Sequence, residues 1–291
     1  MDLSLLQRRI FKDKAARWVM LVLTVLSLLL LIAIGIGLFF KSRLILSEHS
    51  LWELLSGSAW KPLSGEFGFL PFIVGTLFVT ALSIAIALPI SLLSAIFLTE
   101  YASSWVKRIV FPIFDILAGI PSVVYGLVGM LVLVPGIRKL FHIPDGASLL
   151  AAIIVLAIMI LPSIIKVSVT ALEAVPKEYE DASLALGATP VETYLRVSVP
   201  AAKSGIAAAV VLGVGRAIGE AMAVMMVSGN ACNMPSLFES VRFLTTAVAS
   251  EMSYSSGLQR QALFSIALVL FLFIMLLNAT LNFFLKRNKE G

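Results

Sequence analysis

The chain has 291 residues, 59% of them hydrophobic and only 13% charged, with a mean hydropathy of +1.01 and a formal net charge of +5. A soluble domain is nearer half apolar and a quarter charged, so this composition is that of an integral membrane protein and leaves no room for a large soluble domain. The basic balance does not point to nucleic acid, because no basic patch with interleaved aromatics occurs and basic residues flanking membrane spans give the same balance.

Residues 1–17 are polar and basic, carrying Arg8, Arg9, Lys12, Lys14 and Arg17, and residues 18–40 follow without a charge. At 1.5 Å per residue this run crosses a bilayer core of about 30 Å. It exceeds the apolar region of a secretory signal, so an uncleaved first span is expected. Residues 41–68 form a polar loop with Trp52, Trp60 and Pro62. Residues 69–99 are a second uncharged run, longer than one straight span needs, with a tilt or a kink expected at Pro89. After a short turn with Lys107 and Arg108, residues 109–135 predict a third span containing Asp115, Gly119 and Pro121. Residues 136–147 read as a polar loop and 148–165 as a fourth span ending at Lys166.

Residues 175–200, VPKEYEDASLALGATPVETYLRVSVP, predict two short helices and a turn. Pro176 suits a first helical position, and Glu178, Glu180 and Asp181 fall where carboxylates favour the positive end of the helix dipole. Gly187 can take the left-handed conformation that ends this helix. Thr189, Pro190 and Glu192 repeat the start signal as a capping box, and Pro200 closes the second helix. Residues 201–230 predict a fifth span, rich in Gly and Ala, with Arg216 and Glu220 inside it. Its small residues, among them Gly205, Gly213, Gly215 and Gly219, allow close helix approach and are expected at a seam between subunits or within the one subunit. Residues 231–261 form a second polar loop, 262–285 a sixth span, and 286–291 a basic tail.

Six spans put both termini on one side. That side holds fourteen basic residues, counting the N-terminal segment, the 100–108 turn, the hairpin with its flanks and the tail. The other holds seven: Lys41, Arg43, Lys61, Arg138, Lys139, Arg242 and Arg260. The excess places the termini and the hairpin in the cytoplasm.

No phosphate-cradling G-x-x-x-x-G-K-[ST] stretch, HExxH, CxxC or GxSxG motif occurs, so no catalytic residue, metal site or cofactor is expected. The lone Cys232 excludes an intrachain disulfide, and His49 and His142 lie in separate loops. The informative charges are those inside the membrane, where Arg costs about 2.5–3.5 kcal/mol on insertion scales. Arg216 and Glu220 are four apart on one helical face. They can pair with each other as a structural tie, or line a polar path where the guanidinium fork meets a tetrahedral oxyanion. Asp115 is either a partner for Arg216 or an acid near the membrane edge.

The hairpin resembles the cytoplasmic loop of ABC importer permeases, of the form E-A-A-x3-G-x9-I-x-L-P. Asp181, Ala182 and Ser183 stand in the first three places, Gly187 holds the glycine, and Val197, Val199 and Pro200 close the motif. Asp replaces Glu, with Glu180 one residue earlier able to compensate; Ser replaces Ala, and Val replaces both Ile and Leu. The runs GIPSVVYGLVG (119–129) and GRAIGEAMAVMMVSGN (215–230) are similar to permease subunits of phosphate-specific ABC importers, the latter to the PstC-type more than the PstA-type. With the loop motif, the resemblance covers most of residues 69–285.

It implies an all-α, six-span membrane protein with the type I ABC importer permease fold, divided into residues 1–68 (N-terminal segment, first span and outer loop), a permease domain 69–285, and the tail 286–291. It implies a multi-pass subunit of a bacterial or archaeal cytoplasmic membrane, working with a PstA-type second permease, two copies of a cytoplasmic ATPase and an extracytoplasmic phosphate-binding protein. On that reading Glu180, Asp181, Ala182, Ser183, Gly187, Val197 and Pro200 couple to the ATPase. Arg216, Glu220, Asp115, Ser122 and Asn230 lie on the path or gate. The alternatives are a permease for sulfate or molybdate, a stand-alone secondary carrier, for which no inverted repeat is found, and a non-transporting scaffold.

Overall fold

A computed structural model describes residues 3–287; residues 1–2 and the tail residues 288–291, with Lys289, lie outside the described residues. The first apolar run and its basic flank form one helix, α1 (Leu3–Glu48), with no buried residue in the 18–40 stretch. A short α2 (Leu51–Ser56) leads into a small hairpin, β1 (Trp60–Lys61) paired antiparallel with β2 (Glu66–Phe67), turned at Gly65 with φ 75°. Trp60 anchors it in an aromatic cluster, with ring centroids 5.7 Å from Phe67, 6.1 Å from Phe69 and 5.5 Å from Phe72.

Helix α3 (Leu70–Ile96) runs through Pro89 and is prolonged by a π-helical turn, Phe97–Tyr101. The expected third span is not one helix. It is α4 (Ser104–Gly119), then α5 (Ser122–Val128), a π-helical turn (Gly129–Leu133) and α6 (Val134–Phe141). The break falls at Ile120–Pro121, where Ile120 turns extended with ψ 129°, as the residue before proline must. Ser122–Phe141 is the piece long and apolar enough to cross a membrane, and α6 takes in the first half of the expected polar loop. Helix α4, about 24 Å long at 1.5 Å per residue, is too short to cross alone and has no buried residue.

Helix α7 (Leu149–Glu173) is the centre of the molecule. Its first half, residues 149–162, is apolar on all sides, and the helix buries Ile153, Leu156, Ile160 and Ile164. Ser83 on α3 ties to it by donating to the Ile153 carbonyl at 3.1 Å. The hairpin follows as α8 (Lys177–Ala185), α9 (Pro190–Thr193), a π-helical turn (Tyr194–Ser198) and α10 (Val199–Ala201). Helix α11 (Lys203–Gly219) then departs at 71° from the segment Pro190–Ala201. The expected fifth span stops at Gly219; α12 (Met222–Val227) follows a break at Glu220. Helix α13 (Leu244–Glu251) and the last span, α14 (Gly257–Arg287), complete the chain.

Among the described residues five helices are long and apolar enough to cross a membrane, and six if the bent pair Pro190–Ala201 and Lys203–Gly219 counts as one span. Two of the expected seam glycines serve packing inside the chain. A Cβ on Gly205 would lie 2.4 Å from the Ala171 Cβ, and one on Gly213 would lie 2.7 Å from Ile164 Cδ1, so α11 closes on α7 only because both are glycine. Gly215 and Gly219 face open space.

Candidate functional site

The hairpin forms as its caps direct, with one shift. Pro176 is the N-cap with ψ 131°, so the helix starts at Lys177, one residue later than expected. Gly187 takes φ 88°, and the Ala188 N–H reaches back to the Ser183 carbonyl at 3.3 Å. The capping box is complete: Thr189 N–H donates to Glu192 Oε2 at 3.0 Å, and Glu192 N–H donates to Thr189 Oγ1 at 3.4 Å. That backbone donor holds the Glu192 carboxyl below its usual range.

The two arms are tied together. Ser198 Oγ donates to Glu180 Oε1 at 2.8 Å, and the Ser183 and Thr193 hydroxyls lie 2.9 Å apart. Glu180 and Ser183, expected to meet a partner, are therefore engaged within the hairpin, while Asp181 and Ala182 stand exposed. Val197 is half-buried, Val199 packs against the cluster of Leu98, Leu172 and Ala202, and Pro200 sits just before the 71° bend. Sequence reasoning passed over an apolar surface on this polar hairpin: Tyr179, Leu184, Leu186, Val191 and Leu195 are all exposed, Leu186 to 90%. Exposed apolar clusters of this kind mark contact surfaces; the signal was apolar residues spaced through a charged loop.

Inside the bundle, Arg216 and Glu220 do not pair. Arg216 Nη1 donates to Ser163 Oγ on α7 at 3.1 Å, and no carboxylate lies within ion-pair distance of it among the described residues. Glu220 is displaced by the helix break: it ends α11, its Oε1 accepts the Ala223 N–H at 2.9 Å, and its carbonyl accepts from Thr245 Oγ1 at 2.8 Å. Asp115 is not a partner of Arg216 either. It lies on α4 and pairs with Lys166 of α7, both side chains well exposed. Ser122 is the first residue of α5, half-buried at the Pro121 break. Tyr125 spans that break by donating to the Leu117 carbonyl at 2.8 Å.

Asn230 adopts φ 57°, donates from Nδ2 to the Met225 carbonyl at 2.7 Å, and its own carbonyl accepts from Arg242 Nε at 2.9 Å. Arg242 also pairs with Glu251, whose Oε2 accepts from Trp60 Nε1 at 3.2 Å and Gln259 Nε2 at 2.9 Å. This half-buried network joins β1, the 228–243 loop, α13 and α14; residues so far apart in sequence gave no local signal of it. The end of α12 and the loop fold back over the start of α7 and satisfy N–H groups at its cap and first turn: Ser148 to Val227 at 3.0 Å, Leu149 to Glu239 at 3.1 Å and Leu150 to Leu237 at 2.9 Å. Burial raises the Cys232 thiol in this loop.

A cleft of about 960 Å³ along α5, α6 and α7 is lined by residues such as Val124, Val128, Leu140 and Ile158 and by no charged side chain. It offers an anion no charge partner.

A family model, the binding-protein-dependent transport system inner membrane component, matches residues 87–289. The chain belongs to that family. As an inner membrane component it is a multi-pass transport subunit of the type described by its spans. It is 44% identical to the probable ABC transporter permease protein YqgH of Bacillus subtilis, over 77% of this chain and 76% of that protein. It is 37% identical to the phosphate transport system permease protein PstC of Pasteurella multocida, over 84% of this chain and 82% of that one. Its fold matches that of chains in solved ABC transporters. A bacterial alginate ABC transporter aligns with TM-score 0.61 at 15% identity, covering 96% of this chain and 98% of that one. The inward-facing MetNI methionine transporter aligns with TM-score 0.55 at 19% identity, covering 82% and 97%.

Proposed function

We propose that this chain is the permease subunit that passes inorganic phosphate across the cytoplasmic membrane in an ATP-driven importer. The observation that carries the reading is Arg216. It is a guanidinium within an apolar helix, tied to one neutral hydroxyl on α7 and, among the described residues, to no carboxylate, while Gly215 and Gly219 on the same helix leave open space around their own positions. Its remaining N–H groups suit a tetrahedral oxyanion, which accepts two parallel hydrogen bonds. The PstC relatives support phosphate as that oxyanion.

The path is completed by a PstA-type second permease facing α11, two ATPase copies dock beneath, and an extracytoplasmic binding protein delivers phosphate. Both termini and the hairpin face the cytoplasm, as the basic-residue excess favours. ATP-driven closure of the ATPase dimer moves the 177–199 hairpin as a rigid body. The cross-ties Glu180–Ser198 and Ser183–Thr193 keep its two arms together. The bend before α11 passes that motion to the helix bearing Arg216. Asp181, Ala182 and the exposed Leu186 are the contact to the ATPase; Glu220, Ser122 and Asn230 shape the path indirectly, through helix ends and breaks, and Asp115 through its pairing with Lys166 of α7.

The test is ATP-dependent uptake of labelled phosphate in proteoliposomes holding this chain with its partners. Loss of uptake in Arg216→Ala with assembly intact is the expected result. Uptake of sulfate in place of phosphate overturns the substrate, and normal phosphate uptake by Arg216→Ala overturns the assigned path.

A further inference from the structure

Away from the transport path, a second cationic site lies between the first and last helices. Helices α1 and α14 pack antiparallel: Gly35 faces Phe271, whose Cε1 would lie 3.1 Å from a Cβ there. At the end of this pair, where the uncharged run 18–40 stops, a cleft of about 570 Å³ opens, lined by Phe40, Lys41 and Arg43 of α1 and Arg260, Gln261 and Phe264 of α14. Every charged residue lining it is a cation. Among the described residues none of Lys41, Arg43 and Arg260 has a side-chain hydrogen bond or ion pair. Nearby Glu251 is taken by Arg242, Trp60 and Gln259. In addition, Gln261 buries its side-chain oxygen without a partner in the cleft wall.

Three cations lining one cleft raise its positive potential, and a bound anion is favoured there. The walls decide which anion. Phe40 and Phe264 line the cleft, Phe40 is 65% exposed, and the uncharged face of α1 continues from them along the membrane with its leucines outward. Inorganic phosphate has no use for those walls, whereas a phospholipid sets its phosphate among the cations and its acyl chains along α1. We propose that Lys41, Arg43 and Arg260 bind the phosphate of an anionic phospholipid such as phosphatidylglycerol, clamping α1 to α14. The site depends on the membrane spans and not on phosphate as the transported substrate.

The test uses the full chain in phosphatidylcholine nanodiscs containing a minor fraction of spin-labelled phosphatidylglycerol, reading the motionally restricted label. Wild type is expected to prefer phosphatidylglycerol over phosphatidylcholine, and added salt to weaken the preference. Each single change, Lys41→Gln, Arg43→Gln or Arg260→Gln, is expected to lower relative affinity about fivefold, and the triple change roughly a hundredfold. Arg43→Lys with Arg260→Lys is expected to keep most of it. Equal preference in wild type and the triple variant overturns the proposal, as does a wild-type preference indifferent to salt, which needs no variant to read. Displacement of the label by inorganic phosphate, or phosphate binding in phosphatidylcholine discs lost in the triple variant, assigns the cleft to the free anion instead. Loss of binding-protein capture by the triple variant with unchanged lipid preference assigns it to a protein contact. Unaltered phosphate uptake alongside lost lipid preference leaves the transport reading untouched.

Discussion

Arg216 of α11 reaches across to Ser163 of α7, with Nη1 3.1 Å from Oγ, while Glu220, one helical turn on, points to the N–H of Ala223. The two charged residues that one helical face would bring together are thus parted by the break at Glu220. Among the described residues the guanidinium has no carboxylate partner, and the two residues make separable predictions.

For Arg216, removing the fork removes hydrogen bonds to a charged group, worth about 1.5–3 kcal/mol. Arg216→Ala is therefore expected to lower uptake kcat/KM roughly tenfold to a hundredfold, with Arg216→Lys intermediate because it keeps charge without the fork. Ser163→Ala only frees the guanidinium and is expected to raise KM a few-fold with kcat retained. Initial-rate uptake across a phosphate concentration series separates the three.

For Glu220, the side chain caps the first turn of α12. Loss of such a cap costs about 0.5–2 kcal/mol, so Glu220→Ala is expected to lower the denaturation midpoint of the purified complex. Glu220→Gln keeps an acceptor oxygen and is expected to hold stability close to wild type. Lost uptake in the Gln variant at full stability would show that the charge itself is used.

Gly187 holds φ 88° with open space where a Cβ would go, so the obstacle to substitution is backbone strain and not collision. Gly187→Val is expected to cost about 1–2 kcal/mol locally and to uncouple ATP hydrolysis from uptake. Gly187→Asn, which tolerates the left-handed region, is expected to remain coupled. The ratio of phosphate imported to ATP hydrolysed is the measurement; normal expression in the membrane is the control.

Leu186 projects from the same turn, 90% exposed. Leu186→Glu disturbs no packing within the chain and is expected to reduce co-purification of the ATPase at least several-fold. Retention of the ATPase at wild-type levels would move the docking contact elsewhere on the hairpin.

Much of the hairpin was legible because its signals are local. Gly187, Thr189 and Glu192 each act within a few residues, and each does what its spacing requires. The spans with unbroken apolar runs, α1, α3, α7 and α14, were legible for the same reason. The interrupted ones were less so. Pro121 marked the break before α5, yet residues 109–135 across it read as one span despite Asp115. The stop at Glu220 carries no proline and becomes visible only through its bonds to Ala223 and Thr245. The partners of Arg216 and Asp115 were not legible, since Ser163 and Lys166 are fixed by how α11 and α4 pack on α7 and not by sequence spacing.

The fold-back of residues 227–239 over the start of α7 bears on the order in which the chain matures. The N–H groups of Ser148, Leu149 and Leu150 find their acceptors on Val227, Glu239 and Leu237, which leave the ribosome only after α7, the hairpin and α11 have been made. The central helix therefore enters the bilayer with its first turn unfinished, and water or lipid headgroups must serve those donors until the later segment arrives. A chain stopped before residue 227 lacks the acceptors for all three donors, so its middle helix is expected to fray at that end.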